Sequence, residues 1–336
     1  MIYDLSQNSS FTDGVQTSWD STSIKLIMTC PRKYFYKMMQ NWTPREVSPH
    51  LLFGGWYATA LEHYYKYVTE GKTSDEALEA VVKETLISTW TYRTEPSVEG
   101  DINYPHGVNI IKDKDGNRQG YPWVSSDGNK TRENLIRTII WYVEEFKDDE
   151  NTPVVILSDG KPAVEYSFRI ELAPDIIYCG HLDRLVDYGG DNYIMDQKTT
   201  KSTISDYYFK QFNPDQQMSG YTFAGQIIFG IPVKGVIIDA AQIAIGFSRF
   251  TRSFTSRTNA QLEEWRLNTI HYLQFAQSCA EKGQDEKNFP MNLESCSNYG
   301  GCEYRDVCSK NPGIREQFLK GKFNQDTNMW DPLKQR

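Results

Sequence analysis

The 336-residue chain has no apolar run approaching the roughly 18 to 20 residues that span a bilayer. Its start, Met1 to Ser10, has neither a basic stretch nor an apolar one. A soluble, intracellular (cytoplasmic) protein without a secretory leader is the expectation. A basic surplus is also missing: 36 Lys and Arg face 44 Asp and Glu, a net charge of −8. That argues against indiscriminate coating of nucleic acid, but not against an enzyme that gathers basic residues in a channel and carboxylates at a metal. Internal repeats, low-complexity tracts and clean linkers are absent as well. With 39% hydrophobic and 13% aromatic residues the composition is globular, which excludes disordered, collagen-like and coiled-coil chains. One compact unit over residues 1–336 is expected rather than two domains.

Cysteine is sparse, with six residues, and an intracellular chain does not use so few for a disulfide scaffold. Cys179 and Cys279 stand alone and read as buried thiols. Cys296, Cys302 and Cys308 form C-x5-C-x5-C in a stretch containing Gly and Asn, able to curl around one centre. Three ligands need a fourth, and Cys30 in MTCPRKYFY is the candidate. Four thiolates suit zinc or an iron–sulfur cluster, and spacing does not choose between them.

Asp20 and Ser21 can cap a helix over about 23–41, which Pro31 should break beside Cys30. Further helices are expected over about 51–68, from the Thr73-x-x-Glu76 capping box onward, over about 132–146 and over about 259–282. The Gly-, Asp- and Pro-rich segment 94–129 reads as a surface insertion or substrate-side loop. After Pro153 the texture changes. VVIL, AVEYSFRIEL, IIYCGHLDRLVDY and NYIMDQK read as strands, 207–229 as helix around Pro214, and 236–250 as one or two strands. The fold class is α/β or α+β with a mixed sheet.

Asp183 and Asp196 each lie near the end of an apolar strand, where a strand could deliver them to a cleft. Side chains at i and i+2 share a strand face, so Asp196 and Lys198 point the same way. Carboxylates can hold Mg2+ or Mn2+ that activates water on a phosphodiester, with the lysine stabilising charge. A pair of strand-end salt bridges is the alternative.

In order, these residues resemble the motifs of the PD-(D/E)XK nucleases of the RecB-like type, in particular the iron–sulfur branch that includes phage and CRISPR-adaptation exonucleases. Ser21 to Tyr36, with Cys30, Pro31 and Tyr34, is similar to the branch's opening. Glu165 resembles the glutamate of its first core strand, Gly180 to Arg184 its Gly-x-x-Asp-Arg element, and Asp196 to Thr199 its Asp-x-Lys-Thr element. Gln217 and Tyr221 match its Gln-x-x-x-Tyr helix, and Gly301 to Cys308 its last two cluster cysteines. The resemblance implies a restriction-endonuclease-like mixed central sheet flanked by helices. It implies an N-terminal segment 1–50, a nuclease core 51–282, and a C-terminal segment 283–336 tied to the first by a [4Fe-4S] cluster on Cys30, Cys296, Cys302 and Cys308. The C-x5-C interval makes Cys296 the departure from the family spacing.

The implied activity is a metal-dependent exonuclease acting on DNA ends or single strands. Asp183 and Asp196 would bind metal, Lys198 would assist the attacking water, and Gln217 and Tyr221 would orient substrate or Lys198. Its place would be the cytoplasm, a host's if the protein is viral. FGGWYATALEHYY resembles the family's metal-histidine helix, but Ala58 stands at the histidine position, and a methyl group cannot ligate. Three accounts are open: His63 substitutes, the protein manages without this ligand, or the chain carries an inactivating His-to-Ala change. Glu62, one turn from Ala58, is a possible supporting ligand. A catalytically silent DNA-binding or scaffold subunit is the rival reading. Lys201 is a candidate DNA-phosphate contact; the basic and aromatic run Arg32 to Lys37 offers Arg32 as another, against the alternative of core-packed aromatics with solvated Lys and Arg, and His181 reads as a strand residue rather than a ligand.

Overall fold

In a computed structural model the described residues are 9–92, 94–96, 108–325 and 331–332. A mixed sheet runs through their centre. Its strands are β1 (Ser18–Trp19), β2 (Val164–Ala173), β3 (Ile176–Tyr188), β4 (Asp191–Thr200), β5 (Val233–Ile243) and β6 (Ser248–Ser256). The order is β6-β5-β4-β3-β1, with β2 also pairing β3. Strands β4 and β5 run parallel, while β3–β4, β2–β3 and β5–β6 are antiparallel.

The tight connection between β3 and β4 follows from chemistry. Tyr188 pairs with Asp191, which leaves Gly189 and Gly190 as the turn, both at positive φ (62° and 87°). A two-residue turn matched to strand twist needs that geometry, and glycine adopts it without a Cβ clash. The parallel step from β4 to β5 instead requires a crossover, supplied by the helix Gln216–Ile228.

Seven helices of nine or more residues flank the sheet among the described residues: α1 (Ser21–Thr29), α2 (Pro49–Thr69), α3 (Ser74–Ser88), α4 (Arg132–Phe146), α5 (Gln216–Ile228), α6 (Asn259–Glu281) and α7 (Pro312–Lys322). The predicted Thr73–Glu76 capping box forms, and the expected cap at Asp20 is itself a capping box with Ser23. The expected 23–41 helix ends at Thr29. Cys30 adopts an extended backbone, and Pro31 opens a short turn that runs into a π-helical turn at Phe35–Met39.

Alternation along the strands sorts the core. Ile194, Val236 and Ile238 pack into the larger cluster with α1, α5 and α6, whereas Met195 and Ile237 face the other way. At the C-terminal end of β5, Ala241 and Ile243 join Phe53, Tyr57, Leu135 and Ile139 of α2 and α4 in a second cluster. Burial on both faces explains the nearly continuous apolar run of β5. Full burial of one such side chain contributes about 1.5–3 kcal/mol.

One expectation needs correction. VVIL is not a strand: Val154 and Ile156 make only isolated bridges, to Val186 and Pro162. The 236–250 segment is two long strands, β5 and β6, which extend beyond it at both ends. Of the 94–129 segment, residues 97–107 lie outside the described residues; the remainder includes three short strands, at Thr94–Pro96, Val108–Ile110 and Gly120–Pro122.

Candidate active site

The site forms where two strands part. β3 pairs with β2 as far as Leu182 and with β4 from Arg184 onward, so Asp183 falls between the two ladders. Instead of continued pairing, the Gln197 amide of β4 donates to the Asp183 carboxylate at 2.9 Å. On β4, Asp196 and Lys198 share one face as the period-2 rule requires. Lys198 Nζ lies 2.6 Å from Asp196 Oδ2. The aspartate side chain is 2% exposed and the lysine 28%, so the pair is reached from solvent on the lysine side.

Helix α5 closes that face. Gln217 Nε2 donates to Tyr221 Oη at 3.0 Å, and Tyr221 is nearly buried beside both aspartates. The helix comes this close because of Gly220: a Cβ there would lie 2.4 Å from Tyr178 Oη and 2.8 Å from Trp265 Cζ2. Asp215, the N-cap of α5, accepts from the Met218 amide and adds negative charge near Asp196 and Lys198. Tyr208 lies within electrostatic reach of the same pair.

Burial dominates the electrostatics. It pushes the Asp196 carboxyl up to about 7; Lys198 opposes this, and the Asp183 charge adds to it. Asp183 is raised as well, chiefly by burial, with Lys198 and the Gln197 amide pulling down and Glu62 pushing up. Burial lowers Lys198, but the two aspartates outweigh it and hold the ammonium above its ordinary value. Acids kept expensive to ionise and paired with a lysine are suited to accepting a cation.

Helix α2 faces the cleft from the other side. Ala58, Leu61, Glu62 and Tyr65 line it together with Val164, Glu165, Asp183, Arg184 and Gln197. Ala58 thus lines the same cleft as Asp183. Glu62 is held by Lys66 at 2.6 Å, one helical turn on. Glu165 adopts φ = 48°, a left-handed conformation that non-glycine residues rarely take and one that clusters at functional sites. Substitution by His63 fails on geometry, because its Nδ1 lies 2.7 Å from Glu84 of α3. His181 is bonded to Ser167 of the neighbouring strand at 2.8 Å.

Arg184 and Asp239 form a buried ion pair of 2.9 Å behind Asp183, with side chains 2% and 1% exposed. Arg184 also donates to Tyr142 Oη at 2.7 Å, and Tyr142 in turn bonds Asp239. Asp239 meets a second guanidinium, Arg252, at 3.4 Å. The network ties β3, β5, β6 and α4 together next to the acid.

Arg32 is not a surface contact. It is 6% exposed, Nε donates to the Phe289 carbonyl at 2.9 Å, and Nη1 lies 3.6 Å from Glu286. Its charge is spent on clamping the N-terminal segment to the C-terminal one. The same junction carries Lys33–Glu303 (2.8 Å) and the pairing of Trp42–Pro44 with Phe323–Gln325. Lys201 does reach the surface, 43% exposed, and bonds Asp127 at 2.7 Å.

All six cysteines are free thiols. Cys30, Cys302 and Cys308 lie within electrostatic reach of one another; burial first, then Glu303 and Cys30, raise Cys302, and burial followed by the neighbouring thiols brings Cys308 up to about 11. The Asn292 amide approaches Cys30 Sγ at 3.4 Å, and Cys296 Sγ lies 3.8 Å from the Asn292 carbonyl. Among the described residues no three His, Cys, Asp or Glu side chains are drawn into a group that could hold a metal, either here or at the acids. The donor types nevertheless fit: carboxylate oxygens suit Mg2+ or Mn2+, and thiols suit a cluster.

Asp215, Tyr208, Gln197 and the Arg184–Asp239 pair were not singled out by sequence reasoning. For Asp215 a signal existed, since Asn-Pro-Asp before a helical run is an N-cap pattern.

The sheet splays at one acid, Asp183, with a second acid and a lysine on the next strand, the arrangement of residue types the superfamily motif describes. The chain belongs to the PD-(D/E)XK nuclease superfamily, whose family model matches residues 19–309. Nucleases of this superfamily generally use divalent metals, and their substrates are nucleic acids. No curated protein matches the chain. Solved structures similar to it include a candidate exonuclease from Eubacterium rectale (13% identity, 83% of this chain and 85% of that one, TM-score 0.43). Another is SSO0001 (13% identity, 42% and 66% covered, TM-score 0.24). A third is VC1899 from Vibrio cholerae (10% identity, 76% and 57% covered, TM-score 0.20). No described helix is long and apolar enough to cross a membrane.

Proposed function

We propose that the chain is a metal-dependent DNA nuclease of the exonuclease kind, hydrolysing phosphodiester bonds at DNA ends or on single strands. The observation that carries this reading is the convergence of Asp183, Asp196 and Lys198 at the point where β3 and β4 part. Asp183 and Asp196 would hold Mg2+ or Mn2+, with Glu62 as an outer support. The ion would supply Lewis acidity and an activated water. Lys198, the cation paired with Asp196, would orient the attacking water. Gln217 and Tyr221 would fix the lysine from α5. Position 58, without a ligating side chain, lowers metal affinity, and Ala58 is also the observation that favours a silent DNA-binding subunit.

The cysteine site we read as a [4Fe-4S] cluster on Cys30, Cys302, Cys308 and Cys296, clasping the two ends of the chain. A crosslink between segments so far apart removes entropy from the unfolded state. Protein purified without oxygen should be brown with absorbance at roughly 400 nm, and Cys30→Ser should bleach it. Stoichiometric zinc in a colourless protein would replace the cluster by a zinc site.

The activity is tested with 5′- and 3′-end-labelled single- and double-stranded DNA in Mg2+ or Mn2+. Release of mononucleotides from one end supports an exonuclease. Internal cuts on circular DNA would make it an endonuclease.

A further inference from the structure

Beside the acid site lies a second cluster that the reaction does not use. Asp127 Oδ2 accepts from Lys201 Nζ at 2.7 Å and stands 3.7 Å from His50 Nε2. Its Oδ1 accepts the backbone amides of Asn129 and Lys130 at 2.9 and 3.0 Å. Lys130 is 1% exposed, and its ammonium, 4.4 Å from the centre of the Phe53 ring, has no hydrogen-bond partner. A lysine so buried without an acceptor costs stability unless something else uses its charge.

The cluster's position is informative. Lys201 follows the last residue of β4, the strand carrying Asp196 and Lys198. His50 and Phe53 belong to the first turns of α2, and residue 58 of the same helix lines the cleft. At 1.5 Å per residue, His50 is about 12 Å along the helix from position 58. Lys201 and His50 are 43% and 49% exposed, whereas Asp127 is 15% exposed. Lys201 bonds the Asp127 carboxylate and His50 stands beside it at an accessible place, while the Lys130 ammonium lies buried behind them against Phe53.

We propose that Lys201, His50 and Lys130 form a subsite for a backbone phosphate of the nucleic-acid substrate, and that Asp127 occupies this subsite in the free protein. The proposal rests on the nuclease reading for the identity of the ligand, not for the geometry. An incoming phosphate replaces the Asp127 carboxylate on Lys201 and His50, while the buried Lys130 charge acts from behind. Burial brings the Lys130 ammonium down to about 7 despite Asp127, so a further anion would recharge it. Asp127 thus sets a threshold that only a phosphate held elsewhere along the strand overcomes.

The test is fluorescence anisotropy of a 15-nucleotide labelled single strand in EDTA, with inorganic pyrophosphate as competitor, on the full chain. Asp127→Asn should bind about 3- to 10-fold more tightly, while Lys201→Ala should bind about 5-fold more weakly with its salt slope reduced by about one. Lys130→Met should weaken binding yet melt no lower than the parent protein, which a merely structural lysine would not do. Asp127→Asn and Lys201→Ala both within twofold of the parent would overturn the proposal. Cleavage by an active variant alongside such unchanged affinities would spare the nuclease reading and remove only the subsite. Shifted affinities without cleavage by any variant would do the reverse.

Discussion

Removing Asp239 probes the support behind the site. Its carboxylate, 1% exposed, lies between the Arg184 and Arg252 guanidiniums at 2.9 and 3.4 Å. Asp239→Ala therefore strands Arg184 in the core, while Arg252 keeps its second carboxylate, Asp149. Taking one partner from a buried pair costs about 3–5 kcal/mol, a large share of the roughly 5–15 kcal/mol that hold a domain folded. Arg184→Met costs less, because Asp239 keeps Arg252. The double variant Arg184→Met/Asp239→Ala should recover part of the loss, since neither charge of the pair is then stranded, leaving a coupling of about 1–3 kcal/mol. Urea denaturation followed by tryptophan fluorescence measures all three. A loss under about 1 kcal/mol for Asp239→Ala, or strictly additive losses, would refute the claim that this pair ties the sheet together behind Asp183.

Gly220→Ala forces a Cβ against Tyr178 and Trp265, so it should destabilise by about 1–3 kcal/mol in urea and displace Tyr221 from the acids. Asp127 has its carboxyl held down to about 2: burial, the largest influence, raises it, but the Lys201 ammonium and the two amides together outweigh that. Its stabilisation is present above about pH 4 and is lost as the pH falls toward 2, so the stabilities of the parent and Asp127→Asn should converge as the pH falls from about 4 to 2. A gap that stays constant over that range would contradict the assignment.

The elements legible in the sequence are those whose local chemistry agrees with their tertiary setting. The Thr73 box and the Asp20 cap form as written. Asp196 and Lys198 share a face because strand period alone dictates it. VVIL misled because an apolar β-branched run signals burial and not pairing, and the chain there only brushes β3 and the Pro162 backbone. Arg32 misled for a related reason: basic and aromatic residues in one run look like a nucleic-acid surface, yet long-range partners at Phe289 and Glu286 take the charge inside. The splay at Asp183, the turn of Glu165 and the Asp127 cluster depend on which strands separate and which loop returns, and no local pattern encodes that.

Most directly, the central claim is tested by assaying this chain, Ala58→His, and Ala58→His combined with Lys198→Ala on end-labelled DNA in Mn2+. The account predicts that restoring the imidazole beside Asp183 raises cleavage at least tenfold and that Lys198→Ala abolishes it. DNA binding without cleavage in all three proteins would contradict it and leave a silent binding subunit.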